Sequence, residues 1–267
     1  MIGADPLDLG GRIALVTGAG QGAGRAIALA LARHNAGGVA VNDFVAERAA
    51  AVVAEIEALG VKAVAAPADV GDHRAVRTAM NSVASALGPV TILVNNAGNA
   101  GPDIAMAPSP PFWDTDPGEW DRYFHTNLRG VMNCCHAAIP GMIAEGGGRI
   151  VTVVSDAGRI GEPRLAVYSA AKAGAAGFVR AIAKETGRYG ITCNAISLSA
   201  LEPNIDPDRK AAFLAGDHAR TLTARYAIRR LGKPDDVAAM ALFLCSDGAE
   251  WITGQTYPVN GGYSFAV

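Results

Sequence analysis

The stretch Thr17-Gly-Ala-Gly-Gln-Gly-Ala-Gly24 lies between the apolar run 12–17 and an alanine-rich stretch that begins at Gly22. The apolar run predicts a buried strand, and the periodic stretch 22–34 predicts a helix. Glycines at such a junction let the chain turn tightly and bring backbone N–H groups close to a pyrophosphate, and the helix N-terminus adds donors and a favourable dipole. The sequence therefore predicts a dinucleotide-binding turn. The residues expected to contact the dinucleotide there are Gly18, Gln21, Gly22, Ala23 and Gly24.

Short apolar runs alternate with longer alanine-rich stretches along the rest of the chain. The runs predict strands at 12–17, 38–43, 62–67, 91–95, 149–155, 191–197 and 256–259, and the longer stretches predict helices at 22–34, 46–59, 74–87, 119–145, 168–189 and 235–245. Strands without polar alternation, each followed by a helix, form parallel sheets. We therefore expect an α/β fold, a single-domain Rossmann-like doubly wound parallel sheet with helices on both faces. No composition break divides the chain, so residues 1–267 are expected to form one domain.

Two segments interrupt this rhythm. Residues 99–117 contain five prolines and must form a loop, and residues 199–230 form a long excursion before the last clear helix. Ligands of an open parallel sheet bind beyond the carboxyl ends of its strands, and both segments leave those ends. We expect both segments to be substrate-side loops, with Phe112 and Trp113 as candidates for an apolar lining. Two solvated surface loops are the alternative.

The composition argues against several classes of protein. Half of the 267 residues are hydrophobic and 23 basic residues nearly balance 25 acidic ones, so neither disorder nor a nucleic-acid-binding patch is indicated. No stretch approaches the length of about 18 apolar residues that a membrane span needs. The four cysteines lack CxxC spacing, which favours a reducing, cytoplasmic location. The five histidines lack the spacing of metal ligands, so no metal site is expected.

Asp43 indicates which dinucleotide the turn binds. It ends the second predicted strand, 19 residues after Gly24, which is the context required of a dinucleotide site. A carboxylate there accepts hydrogen bonds from the adenosine ribose hydroxyls and repels a 2′-phosphate. Phe44 follows it, and neither the glycine turn nor the position after Asp43 carries Arg or Lys. The sequence therefore favours NAD over NADP, with Asp43 and Phe44 among the cofactor contacts.

Tyr168 and Lys172 are four residues apart near the start of a predicted helix, so they share one face. A phenol with a pKa near 10 is a poor base at neutral pH. A Lys ammonium about 4 Å away would favour the phenolate by roughly 4 kcal/mol, which lowers the pKa by about three. Ser155 ends the fifth predicted strand at the same sheet edge. The three residues are candidates for general acid–base chemistry, although an i, i+4 pair alone also arises by chance.

Several motifs in this order resemble the short-chain dehydrogenase/reductase family over about residues 11–262. The matching motifs are Thr17-Gly18-x-x-x-Gly22-x-Gly24, Asp69-Val70, Asn95-Asn96-Ala97-Gly98, Asn127, Ser155, Tyr168-x-x-x-Lys172, Ile252-Thr-Gly-Gln-Thr and Val259-Asn-Gly-Gly262. For the cofactor, the resemblance implies that Asp69 contacts the adenine with Val70 beside the ring. It also implies that Asn95 braces the sheet behind the cofactor, and that Ala97 and Gly98 contact it.

The resemblance also implies the catalytic roles. Ser155 binds the substrate oxygen, and Tyr168 exchanges a proton while a hydride passes to or from the nicotinamide. Lys172 hydrogen-bonds the nicotinamide ribose, and the backbone carbonyl of Asn127 holds a water that links Lys172 to solvent.

One loop departs from the family pattern. After the sixth strand the family usually has Pro-Gly and then Thr, in the loop that anchors the nicotinamide carboxamide. Here Leu198-Ser199 stands at the Pro-Gly positions and Pro203 at the Thr. We expect Leu198 and Ser199 still to contact the cofactor, with the Ser199 hydroxyl as a substitute hydrogen-bonding group. Asn260 stands where Asp is more usual, and no function is assigned to it.

The expected function is that of an NAD-dependent oxidoreductase that interconverts a secondary alcohol and a ketone. A 3-oxoacyl-thioester reductase is the alternative enzyme, and a non-catalytic dinucleotide-binding protein is the alternative outside catalysis. The family commonly forms tetramers through the two helices that hold Asn127 and Tyr168. A homotetramer, or a homodimer, is therefore expected.

Overall fold

A computed structural model of the chain describes residues 5–98 and 110–265. Its strands are β1 (Ile13–Val16), β2 (Gly38–Val41), β3 (Ala63–Ala65), β4 (Val90–Asn95), β5 (Gly148–Ser155), β6 (Ile191–Leu198) and β7 (Thr256–Val259). They form a seven-stranded sheet in the order β3-β2-β1-β4-β5-β6-β7, and every neighbouring pair is parallel. This sheet confirms the predicted Rossmann-like fold class.

The helices lie on both faces of the sheet. They are α1 (Gly22–Arg33), α2 (Ala46–Glu57), α3 (His73–Leu87), α4 (Asp121–Phe124), α5 (Gly130–Ala144), α6 (Asp156–Ile160), α7 (Ala166–Thr186), α8 (Pro207–Ala215), α9 (Asp217–Thr223) and α10 (Pro234–Cys245). Along β1, Ala14 and Val16 join the core with α1, α2 and α10, whereas Leu15 joins the core with α3, α5 and α7. This alternation follows from the two-residue repeat of a strand and produces two separate cores.

The strand order reverses next to β1, which pairs with β2 on one side and with β4 on the other. At such a switch point the connections on the two sides leave in opposite directions and open a crevice beyond the carboxyl ends of the strands. The glycine turn 17–24 follows β1 and Asn96–Gly98 follows β4, so both lie at this crevice. The fold therefore brings together the two segments that the sequence assigned to the dinucleotide.

Within the described residues, the excursion 199–230 contains the helices α8 and α9, which the sequence did not predict. Helix α8 has no buried residue, and its sequence lacks the apolar periodicity that predicts a helix. Leu201 and Gly232 pair as an isolated bridge and close the base of the excursion. In the other predicted loop, residues 99–109 lie outside the described residues, and Phe112–Asp114 form a 3-10 turn.

The helix that the sequence predicted from 119 to 145 is continuous from Asp121 to Ala144, but its hydrogen bonding changes within it. The π-helical turn His125–Arg129 lies between the α-helical segments α4 and α5. Such turns frequently occur at functional sites. In the part of the chain that the structure describes, no helix is long and apolar enough to cross a membrane.

Candidate active site

The glycine turn forms a cradle of bare backbone at the N-terminus of α1. Gly18 and Gly22 adopt φ angles of +60° and +55°, which favour glycine. A Cβ on Gly24 would lie 2.2 Å from the carbonyl oxygen of Gly18, so this position has no room for a side chain. The Asn96 side chain donates from Nδ2 to the carbonyl oxygens of Thr17 and Gly18, at 3.0 and 3.1 Å, and fixes the turn. This cradle fits the pyrophosphate of a dinucleotide.

A cavity of about 570 Å³ lies beside the turn. The predicted cofactor residues that line it are Gly18, Gln21, Asp43, Phe44, Asp69, Val70, Ala97 and Gly98. Gly22 and Gln21 also line a second, larger crevice on the outer side of the turn. Ala23 and Gly24 lie in the first turn of α1, next to the cradle. The cavity therefore gathers half of the residues that the sequence assigned to the cofactor.

Asp43 is fixed against the glycine turn. It is 7% exposed, and its carboxylate accepts the N–H of Gly20 on Oδ2 and the N–H of Val45 on Oδ1, both at 3.0 Å. Phe44 is 67% exposed and faces the same cavity. Arg48 also lines the cavity. This cation is not evident from the sequence, because it lies about one helical turn beyond the strand end.

Asp69 stands at the opposite wall of the cavity, next to the buried Val70. Its Oδ1 accepts the N–H of Gly71 at 2.9 Å, and the His125 ring donates from Nε2 to its Oδ2 at 3.0 Å. His125 was missed because it lies far along the chain, in the π-helical turn. Its contact with Asp69 exists only in the folded protein.

Asn95 and Asn127 are both buried. Asn95 donates from Nδ2 to Thr152 Oγ1 and to Cys135 Sγ, both at 3.4 Å, which fits a bracing position behind the cavity. Asn127 donates from Nδ2 to the carbonyl oxygen of Tyr123 at 2.9 Å. A Cβ on Gly98 would lie 2.8 Å from both Asn127 Oδ1 and Lys172 Nζ, so these two side chains converge on one glycine.

Ser155, Tyr168 and Lys172 meet at the carboxyl end of β5. Ser155 is its last residue, whereas Tyr168 and Lys172 lie in the first two turns of α7. Ser155 is hydrogen-bonded to Tyr168 and accepts the N–H of Ala157 on Oγ at 3.2 Å. Lys172 is 4% exposed and donates from Nζ to the carbonyl oxygen of Val153 at 2.9 Å. The structure thus brings the three candidate catalytic residues together.

The expected lowering of the Tyr168 pKa by Lys172 is wrong. Burial raises the pKa of Tyr168, and the hydrogen bond with Ser155 opposes this increase only in part. The Nζ atom of Lys172 lies 5.9 Å from the centroid of the Tyr168 ring, and burial lowers the pKa of Lys172 from 10.5 to about 8. The cost of removing each charge from water outweighs the expected attraction between the two groups.

Ser199 lies next to this cluster. Leu198, the last residue of β6, pairs in register with Ser155, so Ser199 leaves the sheet beside the catalytic edge. The Ser199 hydroxyl is already engaged, since its Oγ lies 2.5 Å from Oη of Tyr226. Tyr226 is 3% exposed and lies at the far end of the excursion. No signal in the sequence singled it out.

A further cavity, of about 210 Å³, is lined in part by Tyr168. Four aromatic rings line it: Phe112 stacks on Trp120 at 5.3 Å between centroids, and Tyr123 meets Tyr168 edge-on at 6.5 Å. Phe112 therefore lies where the sequence expected an apolar lining, whereas Trp113 is 81% exposed and does not line this cavity. The four rings suit contact with an apolar group beside Tyr168.

Comparison with known proteins agrees with this geometry. Residues 18–264 match a family model described as enoyl-(acyl carrier protein) reductase. The 3-oxoacyl-(acyl-carrier-protein) reductase of Staphylococcus aureus strain Mu50 is 38% identical over 250 residues, which are 93% of this chain and 96% of that protein.

Solved structures of dehydrogenases share the fold over nearly the whole chain. A gluconate 5-dehydrogenase from Burkholderia cenocepacia J2315, in complex with NADP and tartrate, has a TM-score of 0.86 and 31% identity, covering 98% of this chain and 99% of that one. A 7 alpha-hydroxysteroid dehydrogenase complexed with NADH and 7-oxo glycochenodeoxycholic acid also has a TM-score of 0.86, with 35% identity, covering 98% of each chain. Similar folds thus hold either dinucleotide.

Proposed function

The chain belongs to the short-chain dehydrogenase/reductase family of oxidoreductases, and on that premise we propose that it interconverts a secondary alcohol and a ketone with NAD(H). The observation that carries the proposal is the cluster of Ser155, Tyr168 and Lys172 at the same sheet edge as the glycine cradle. A cofactor bound in the cradle and the cavity beside it reaches from the adenine side, at Asp43 and Asp69, toward this cluster. A nicotinamide cofactor, when bound, supplies hydride transfer.

The residues of the chain supply placement and proton transfer. Ser155 holds the substrate oxygen, and Tyr168 gives a proton to that oxygen or takes one from it. Because burial raises the pKa of Tyr168, the phenol is protonated at neutral pH and is suited to donate to a carbonyl oxygen. Asn127 lies close to this cluster, because its side chain and that of Lys172 converge on Gly98. The resemblance adds a water-linked path from Lys172 to solvent.

Asp43 supports the preference for NAD over NADP. Its carboxylate is held beside Gly20, where it faces the ribose hydroxyls and repels a 2′-phosphate. Arg48 in the same cavity favours NADP instead, because a guanidinium attracts the 2′-phosphate. We place the greater weight on Asp43 because it is buried and fixed by two backbone N–H groups. We assign Leu198 and Ser199 to the nicotinamide end of the cofactor.

The cavity with the four aromatic rings supports a substrate with an apolar body beside its carbonyl. The segments 99–117 and 199–230 are the proposed substrate-side loops, and residues 1–267 are the proposed single domain. A 3-oxoacyl thioester is the second candidate substrate, since the relative from Staphylococcus aureus bears that name. A dinucleotide-binding protein without turnover is the third reading, and the intact Ser155–Tyr168–Lys172 cluster weighs against it.

We further propose that copies of the chain assemble as homotetramers or homodimers through α5 and α7. Met132 and Ile143 on α5 are 45% and 37% exposed, and the small residues Gly174 and Gly177 on α7 permit close helix contacts. A cytoplasmic location is also proposed, because all four cysteines are free and buried, as expected in a reducing compartment.

A panel of secondary alcohols and ketones, assayed by the absorbance of NADH and NADPH at about 340 nm, tests the proposal. We expect turnover with an apolar ketone and NADH, and a lower kcat/KM with NADPH. Turnover only with 3-oxoacyl thioesters would favour the second candidate. Tight NADH binding with no turnover across the panel would favour the protein without catalysis.

A further inference from the structure

The buried hydroxyl of Tyr226 has no part in the chemistry described above. Tyr226 lies just after α9, near the far end of the excursion, yet its side chain reaches the residues that leave β6. Its Oη accepts the N–H of Ala200 at 3.0 Å and lies 2.5 Å from Oγ of Ser199. One side chain therefore connects both ends of the excursion at its base.

Packing, rather than the excursion itself, fixes the position of this hydroxyl. The Tyr226 ring lies 5.3 Å from the ring of Tyr263 between centroids. A Cβ on Gly261 would lie 3.2 Å from Cδ1 of Tyr226, and the N–H of Ile228 donates to the carbonyl oxygen of Gly261 at 2.8 Å. The ring is thus held by the segment that follows β7. A rigid ring presents its hydroxyl at a constant place.

The contact between Tyr226 and Ser199 permits either direction of hydrogen bonding. Oη accepts from Ala200, and in its contact with Ser199 Oγ either hydroxyl can be the donor. When Tyr226 donates to Ser199, the hydrogen of the Ser199 hydroxyl is free to donate to a ligand. Ser199 follows Leu198, which pairs in register with Ser155, so this hydrogen is available beside the site of the substrate oxygen. The reactive ring of the cofactor has to lie there as well.

We infer that Tyr226 is a positioning residue for the nicotinamide end of the cofactor. It orients Ser199 so that the serine hydroxyl donates to the carboxamide, and it holds the loop that leaves β6 without the Pro-Gly pair that the family resemblance predicts. The inference rests on the proposed function, because it requires a nicotinamide cofactor in this site.

Binding of two ligands that differ at one end tests the inference. Isothermal titration calorimetry is performed with NADH and with ADP-ribose, which lacks the nicotinamide ring, on the wild type, Tyr226→Phe, Ser199→Ala and the double variant. Tyr226→Phe keeps the packed ring and removes only the hydroxyl. We expect about tenfold weaker NADH binding in each variant, the size of one hydrogen bond, with ADP-ribose binding unchanged within about twofold. The double variant should be no weaker than either single one. Tyr263→Phe, which removes a hydroxyl bonded to Glu162, is the matched control and should bind both ligands normally.

Unchanged NADH binding in either single variant overturns the inference, because both hydroxyls are required. An equal loss of NADH and ADP-ribose binding also overturns it, because that pattern indicates a general structural defect. Should Tyr226→Phe not fold, unchanged NADH affinity in Ser199→Ala still overturns the inference. A wild type that binds neither NADH nor NADPH contradicts the proposed function itself, and this outcome is distinct from the others.

Discussion

Replacing Lys172 with Met should stabilise the folded protein while abolishing activity. The ammonium is 4% exposed, and burial lowers its pKa from 10.5 to about 8. Each difference of one in pKa corresponds to about 1.4 kcal/mol, so the charged form costs about 3 kcal/mol of folding free energy near pH 7. The hydrogen bond to Val153 is lost in the variant. Because that loss offsets part of the gain, we expect a net stabilisation of about 1–3 kcal/mol, or roughly 2–6 °C in Tm.

The pH dependence of this stabilisation distinguishes the removal of a buried charge from better packing of the methionine side chain. A lysine whose pKa is lower in the folded state carries its full cost below about pH 8 and none above about pH 10.5. The advantage of Lys172→Met should therefore shrink by about 2 kcal/mol between pH 7 and pH 9.5. Urea unfolding at several pH values measures it, with Lys184→Met, an exposed lysine of the same helix, as the matched control. An advantage that is absent near neutral pH, or independent of pH, would refute the reasoning.

Three further predictions concern single side chains. Tyr168→Phe should lower kcat by about 10²–10⁴-fold with the Kd for NADH nearly unchanged, because only the proton-exchanging hydroxyl is removed; unaltered steady-state turnover would exclude tyrosine from the mechanism. Asp43→Asn should raise the ratio of NADPH to NADH affinity at least about tenfold in calorimetry, since the charge that repels a 2′-phosphate is gone; a constant ratio would show that Asp43 does not discriminate. Asn260→Asp should cost about 2–4 kcal/mol at pH 8, because Asn260 donates to Asp156, which is 2% exposed, at 2.6 Å. Repulsion between the carboxylate of Asp156 and the one introduced at position 260 disfavours ionisation in the folded variant, so the urea midpoint should rise again as the pH falls. Midpoints that do not depend on pH would contradict this account.

Asn260 has a structural role that could not be predicted from the sequence. The residue is a departure from the usual Asp, and the sequence assigned it no function. In the structure its Nδ2 donates to the buried carboxylate of Asp156, which also accepts from Ser197 and Arg159. A carboxylate at this position would face another carboxylate. The reason for asparagine depends on a contact with a residue more than a hundred positions earlier in the chain.

The sequence by itself determined the order of the strands and of the helices that cover the sheet, the glycine turn and the fold class. These features depend on local patterns: apolar runs, helical periodicity and glycines that permit left-handed backbone at Gly18 and Gly22. Patterns of this kind are readable along the chain without knowledge of what packs against it.

Only the tertiary structure decided the pKa shifts of Tyr168 and Lys172, the hydrogen bond between Tyr226 and Ser199, and the hydrogen bond between His125 and Asp69. It also decided the helices α8 and α9, because their exposed faces leave no apolar repeat in the sequence. A pKa depends on how far water is excluded and on how distant the opposite charge lies. Both quantities are fixed when segments remote in the chain pack together, so the spacing of residues along the sequence does not contain them.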